Sequence, residues 1–515
     1  MVTTTPIEAL RRRPPFRIGV LLLLLASPVL AQNWRVEPAI RASAVATNNV
    51  NLTANDAQRD VILVASPMVR VTGRGPRYEV TGSLAADAIA YAGGTNDPDI
   101  LPQGSLGLRS QLVDRWLFLD AGLTAQTTAS DPFGPVGDGI TTLNRSTLAR
   151  LRVNPRLERE LSPQSRLLVS LDQAWTKGYG SDEARLNNNT TVQTQQGLYE
   201  LRPVPLGARV DLRRQVTTYN SQSNNDVVFA SARVSGLWAP VDEVRLTLTA
   251  GRDEASFTSN DFSETLYGAG LRWTPTDRTV LDTMVEKRFF GTGWNASLTH
   301  RSPYVSVTGS LSRDASTYAS RLGTLQAGVD VATMLDSLLT TRIPDATQRS
   351  EAVQQLMAQR GLPATLSQSL DLFSGTVQMI QGGSLTVAAM GPRHTLTTRV
   401  YVQRVRDIVD ENDPVALISA DSDQRGLTVA LTRRLTPSLT GEASLSHGTV
   451  EGRGVNEGLH TVNRSVRVGL TESLSPRTTI NGSLRYQTVS TDTLTSTATS
   501  RASAVSLSAG LLHRF

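Results

Sequence analysis

Five histidines are the side chains of this 515-residue sequence best suited to moving a proton or holding a metal: His300, His394, His447, His460 and His513. They stand singly. None falls in the H-E-x-x-H spacing that would set two imidazoles on one helix face for zinc. No G-x-S-x-G elbow and no phosphate-cradling glycine loop is present. The Ser and Gly residues of "VSGLWAP" and "GGSLTV" lack that context. A base needs a partner within hydrogen-bond reach, so each histidine reads as a strand or loop residue, although Ser/His pairs could still meet across strands. The sequence therefore predicts no enzyme, no cofactor and no dedicated metal site. The densest acidic run is "RDIVDENDPVALISADSDQ", with Asp407, Asp410, Glu411, Asp413, Asp421 and Asp423. Asp410, Glu411 and Asp413 are its weak candidates for a divalent cation. The spacing of a calcium loop is missing, and a solvated loop is the plainer expectation.

Chemistry of any kind would have to be positioned by strands. In "EVRLTLTA", Val244, Leu246, Leu248 and Ala250 face one way, and Arg245, Thr247 and Thr249 the other. In "TINGSLRYQ", Ile480, Leu484 and Tyr486 oppose Asn481, Ser483, Arg485 and Gln487. Period two is the signature of a strand with one apolar and one polar face. A turn motif punctuates these strands: "LSP" at 161–163, "WAP" at 238–240, "WTP" at 273–275, "LTP" at 435–437 and "LSP" at 474–476. Proline cannot donate to a ladder and belongs at such turns. The closer pairs of these prolines lie 35 and 39 residues apart. A repeat of about 40 residues fits a barrel hairpin of two strands, one tight turn and one long loop. Polar connections such as "AGGTNDPDILPQGS", "ASDPFGPVGDGITT", "KGYGSDEARLNNNTT" and "STDTLTSTATSRAS" read as the long loops. Tight turns are expected near Pro76, Asp114, Pro163, Gly207, Pro240, Pro275, Pro303, Pro392, Pro437 and Pro476. The expectation is an all-β fold: a large antiparallel transmembrane β-barrel of about 18–22 strands.

Both termini fit that reading. "RRRPPFRIGVLLLLLASPVLAQ" has four arginines, a short apolar run, and Val29 and Ala31 at a small-residue site. It is expected to be a signal peptide, residues 1–31, cleaved between Ala31 and Gln32. The apolar run falls short of the roughly 20 residues a membrane helix needs. The leader holds Glu8 besides its arginines, so the net charge of +5 drops to about +2 for residues 32–515. The basic balance thus gives no reason to expect nucleic acid. With no cysteine, stability must come from burial and backbone pairing. The last strand puts Val505, Leu507, Leu511 and Phe515 on one face. A terminal strand ending in an aromatic resembles the signal read by the outer-membrane assembly machinery, which is therefore an expected partner, with His513 as a departure. Trp34, Trp238 and Trp273 are expected at a membrane interface. Outer-membrane lipid and lipopolysaccharide are the expected surroundings, and the outer membrane of a Gram-negative bacterium the expected location. One segment, 325–372, changes to a helical period, with Val331, Leu335, Leu338 and Leu339 on one stripe and a cap at Asp345. It is read as a helical insert within a barrel loop, able to enter the lumen or to lie on the surface.

The stretch "NWRVEPAIRASAVATNNVNLT" brings together Trp34, Pro38, Asn48, Asn49, Val50 and Leu52. With the hairpin motif, the terminal aromatic and the insert run Arg349, Val353, Leu356, Gly361, Leu362 and Pro363, the chain resembles the PEP-CTERM system-associated outer membrane proteins. Aspartate is usual in that family where Asn48 stands. The resemblance implies a role in exopolysaccharide production or export beside an exosortase sorting system, with export components as partners, and carries over no catalytic residue. An ordinary diffusion porin, a barrel enzyme acting on surface glycan or lipid, and a soluble secreted β protein are the alternatives.

Overall fold

In a computed structural model the described residues are 34–515, except 130, 132, 136–143, 181–188, 220–225, 258–259, 409–420, 494–495 and most of 322–376. They form one closed sheet of 22 antiparallel strands. Its first wall holds β1 (Trp34–Thr47), β2 (Asp60–Arg74), β3 (Tyr78–Tyr91), β4 (Asp99–Val113) and β5 (Leu117–Thr128). Next come β6 (Ser146–Glu160), β7 (Ser165–Gly180), β8 (Thr190–Leu201), β9 (Leu206–Tyr219) and β10 (Val227–Val241). β11 (Val244–Phe257), β12 (Asn260–Thr276), β13 (Thr279–Arg288), β14 (Gly291–Arg301) and β15 (Val305–Thr317) follow. A short helix α1 (Tyr318–Arg321) and a two-residue ribbon, β16 (Val329–Asp330) with β17 (Thr365–Leu366), come before the last wall. That wall is β18 (Val377–Met390), β19 (His394–Asp407), β20 (Ser422–Arg434), β21 (Leu439–Gly452), β22 (His460–Ser473), β23 (Thr478–Thr493) and β24 (Ser496–Arg514).

The alternation in sequence becomes an inversion in space. Leu248, in the middle of β11, is 71 % exposed, while its neighbour Thr249 is 5 % exposed. Val234, Leu311, Val402, Val468 and Leu507 are likewise exposed at mid-strand. An apolar outer band over a polar interior is what a strand wall in lipid requires. Hydrocarbon offers no hydrogen bonds, so no edge can be left open. β1 closes on β24 from Ala39↔Arg514 to Thr47↔Ser506. No described helix is long and apolar enough to cross a membrane; the chain crosses with strands. The protein is an outer-membrane β-barrel.

Ten short turns lie at the end that also holds Trp34 and Phe515. Short turns mark the periplasmic side. Their recurrent Leu-(Ser/Thr)-Pro sequence has a geometric cause. Ser162 Oγ accepts hydrogen bonds from the N–H groups of Gln164 (3.2 Å) and Ser165 (3.0 Å). Thr436 Oγ1 does the same for Ser438 and Leu439, and Ser475 Oγ for Arg477 and Thr478. The hydroxyl caps the turn and the proline behind it fixes φ. Three of the expected turns shift slightly. Pro240 and Pro275 sit inside the ends of β10 and β12, at pairing irregularities after Trp238 and Trp273. Proline has no N–H for the ladder, so the strand bulges there and the two-residue turn follows. Gly207 belongs to β9, and the turn precedes it at 202–205.

At the other end the loops are less uniformly long than the sequence suggests. β11–β12, β13–β14 and β23–β24 connect through only two residues each. "STDTLTSTATSRAS" is strand on either side of residues 494–495, because Ser and Thr suit a wet strand face as well as a loop. The "NNVNL" stretch after β1 folds back as a clasp over the seam. Asn48 Oδ1 accepts from Val505 N at 2.8 Å. Asn49 Nδ2 donates to Ser503 O (3.1 Å) and Thr53 O (2.7 Å), and Asn49 Oδ1 accepts from Thr53 N (3.1 Å). Leu52, at φ 52, packs against Val489 and Ala504.

Candidate functional site

The parity that puts leucine and valine outside puts charge inside. On β4–β13 the inward positions carry arginine interleaved with acid. Arg156 lies between Asp120 (3.4 Å) and Glu158 (3.5 Å), and Arg166 reaches Glu158 at 2.6 Å. Arg152 pairs with Asp172 on the facing strand. Arg233 spans Glu286 (3.4 Å) and Asp211 (4.0 Å), and Arg245 stands 4.0 Å from Glu200. Further along, Arg288 holds Asp253 at 2.9 Å and Asp314 at 2.8 Å. Cross-strand neighbours on one face are close enough for such pairs to run from strand to strand. The result is a ladder of guanidinium and carboxylate groups along one wall.

The other wall is built from hydroxyls and amides. Ser446 and Ser465 meet at 2.7 Å, Ser483 and Ser508 at 2.7 Å, and Ser310 and Ser384 at 3.0 Å. Arg399 donates to Thr386 Oγ1 at 3.3 Å. Asn481, Arg485 and Gln487 share the parity of Ser483 and face inward as expected. Arg245 does so on the charged wall.

Inward-folded segments narrow the mouth opposite the turns. Phe133, in the β5–β6 connection, accepts at its carbonyl a bond from Thr461 Oγ1 of β22 at 2.7 Å. Arg145 of the same connection binds Asp99 at 2.8 Å. From the end of β15, α1 reaches across to β8, and Thr317 Oγ1 lies 3.2 Å from Thr217 Oγ1 of β9. Phe257, Tyr219, Val377 and Ala315 pack there with Phe229, Phe262, Phe289 and Phe290. Of the expected helical insert, Leu335, Asp336, Leu339, Arg349 and Val353 are described and helical; Leu335, Leu339 and Val353 are buried. Arg349 binds Asp336 at 2.8 Å. Val331, Leu338, Asp345, Leu356, Gly361, Leu362 and Pro363 lie outside the described residues.

Trp34, Trp238 and Trp273 stand at the turn end, on the outward parity. Val505, Leu507 and Leu511 face outward on β24. Phe515 donates its N–H to Pro38 O at 3.0 Å and meets the His513 ring edge-on, with centroids 5.0 Å apart. Ala31 and Gln32 lie outside the described residues, as do Asp410, Glu411 and Asp413. The flanking acids of that run are occupied. Asp421 accepts from Asp407 N (2.6 Å), and Asp423 binds Arg406 (2.7 Å) and Arg453 (3.0 Å). Asp423 holds the Arg453 guanidinium above its ordinary pKa. Among the described residues no three His, Asp or Glu side chains are placed to hold a metal ion. All five histidines take outward register positions. None belongs to the lumen wall. The ladder as a unit is not visible in the sequence. Its trace is the inward alternation in "RLERE" and "ARVDLRRQ", legible only once strand neighbours are known.

No family model matches the chain, and no curated protein matches it. Solved structures similar to it include the FrpB iron transporter from Neisseria meningitidis, at 12% identity and a TM-score of 0.47, covering 94% of this chain and 82% of that one. The siderophore receptor PiuA from Acinetobacter baumannii is similar at 9% identity and TM-score 0.46, over 93% of this chain and 82% of that one. The outer membrane protein opdK from Pseudomonas aeruginosa is similar at 10% identity and TM-score 0.36, over 93% of this chain and 99% of that one.

Proposed function

We propose that the barrel conducts hydrophilic, hydroxyl-rich and acidic cargo, and that this cargo is extracellular polysaccharide. The two-sided lumen is the observation that carries the reading. Guanidinium groups recognise carboxylate and phosphate substituents through paired N–H donors. Serine, threonine, asparagine and glutamine donate to and accept from sugar hydroxyls. The arginines of the ladder already have acidic partners. A passing polyanion therefore exchanges one carboxylate for another at small net cost, which favours movement along many weak sites over capture at one. The resemblance to the PEP-CTERM-associated proteins supports polysaccharide over other acidic solutes. It also supports an association with exopolysaccharide export components.

The test is single-channel recording in planar bilayers, on the full chain and on a variant lacking residues 325–372. Added polyuronate is expected to block the current from one side, and a neutral dextran of the same size to block it less. Arg156→Ala combined with Arg166→Ala should weaken the polyuronate block. Small-ion conductance that neither polymer affects would favour a diffusion porin and end the polysaccharide reading.

A further inference from the structure

We propose that the outer wall at β19–β20 holds one phosphorylated glycolipid of the outer leaflet. A hollow of about 540 Å³ opens there toward the membrane. Its floor is Val400 and Val402 of β19 and Leu427 of β20, a continuation of the lipid-facing band. The wall behind is thin. At Gly426 an added Cβ would come 2.4 Å from the Tyr401 ring, so the ring covers the glycine from inside and the hollow reaches through to both.

Two cations rim this floor with donors to spare. Arg404 is 65 % exposed at its side chain and lies 3.9 Å from Asp423. Arg425 is 69 % exposed and lies 3.9 Å from Glu451. Both separations exceed a hydrogen bond. Their neighbours differ: Arg406 and Arg453 engage Asp423 directly, and Arg453 also holds Glu451 at 3.0 Å. The acids of the rim are thus committed, while the Arg404 and Arg425 heads are open to an anion.

The direction of the polarity identifies the occupant. Along β19 the outward side chains run Val400, Val402, Arg404 toward the loop end, and along β20 they run Leu427, Arg425 the same way. The loop end is the extracellular end. Apolar contact deep in the membrane and cationic contact at its outer surface match acyl chains below a phosphorylated headgroup. A soluble phosphate has no use for the valine floor, and an inner-leaflet lipid would need the reverse order.

The experiment is native mass spectrometry of the folded, delipidated barrel titrated with a bis-phosphorylated acylated glucosamine disaccharide. Wild type should bind one molecule per barrel. The dephosphorylated form should bind at least tenfold more weakly. Arg404→Gln with Arg425→Gln should lose about 25-fold, at about fivefold for each arginine near the membrane surface. Lys177→Gln with Lys287→Gln, on the outer face of β7 and β13 and away from the hollow, should leave affinity unchanged. Folding is verified by mobility of the unheated protein in gels. If the double variant does not fold, Arg425→Gln alone is read for its fivefold loss. Equal affinity of wild type and variant, equal loss in the β7–β13 control, or equally tight binding of an anionic phospholipid would overturn the site.

Discussion

Replacing both asparagines of the seam clasp, Asn48→Ala with Asn49→Ala, should make the barrel open faster. The pair supplies four hydrogen bonds between 2.7 and 3.1 Å: Val505 N to Asn48, and Thr53 N, Thr53 O and Ser503 O to Asn49. Asn49 is nearly inaccessible to solvent, so truncation leaves the Ser503 carbonyl short of a partner. At roughly 1 kcal/mol net per bond the loss is about 3–4 kcal/mol. β1 and β24 are the first and last strands to pair, and the clasp sits just beyond their final pair, Thr47↔Ser506. If the seam is where unfolding starts, the loss falls on the opening barrier and the rate rises on the order of 10²-fold or more. The assay follows disappearance of the compact form in unheated gels over time in denaturant. Asn51→Ala is the control, since among the described residues the side-chain hydrogen bonds of Asn51 are those with Asn96 in the neighbouring loop, at 2.9 and 3.3 Å. Its effect should stay below about threefold, in line with one half-buried side-chain pair away from the seam. Wild-type opening by the double variant would show that the clasp does not guard the seam.

Other perturbations separate the remaining parts. Deleting residues 325–372 should leave a folded barrel with larger single-channel conductance; unchanged conductance would place that segment outside the conducting path. Deleting Phe515 should reduce the amount of assembled barrel in the outer membrane and raise periplasmic degradation, read by fractionation. Wild-type levels would remove the terminal aromatic from the assembly signal. Arg288→Ala leaves Asp253, 2 % exposed at its side chain, without its cation. It should destabilise the barrel by about 3–5 kcal/mol, seen as a lower denaturation midpoint, whereas Arg35→Ala, whose pair with Glu37 is largely exposed, should cost under about 1 kcal/mol.

The wall was legible in the sequence because one constraint, lipid outside and water inside, acts at every second residue. Leu246 and Leu248 against Thr247 and Thr249 needed no partner to be read. The turn count was legible for a similar reason: Ser162, Thr436 and Ser475 each cap a turn within three residues. Two-residue connections at the loop end escaped notice because Thr and Ser serve a strand beside water as well as a loop. The arginine ladder escaped because its pairs are not local. Arg233 of β10 and Glu286 of β13 lie 53 residues apart, and only the register of the strands between them, β11 and β12, brings them together. The clasp is less local still: Asn48 finds Val505 only where β1 closes on β24. The hollow at Val402 needed the register of β19 with β20, which sets Val402 opposite Arg425.

The most direct test of the transport reading pairs two quantities in a strain lacking this protein: the mass of secreted polysaccharide and the uptake rate of a small hydrophilic solute. A polar lumen alone serves a sugar polymer and a small solute equally, so neither quantity decides by itself. The expected result is a clear fall in secreted polymer with near-normal solute uptake, the polymer being restored by the wild-type chain and only incompletely by Arg156→Ala with Arg166→Ala. Normal polymer with reduced uptake would contradict it and identify a diffusion porin. Normal values of both, with a chemically altered surface glycan or lipid, would contradict it in favour of an enzyme.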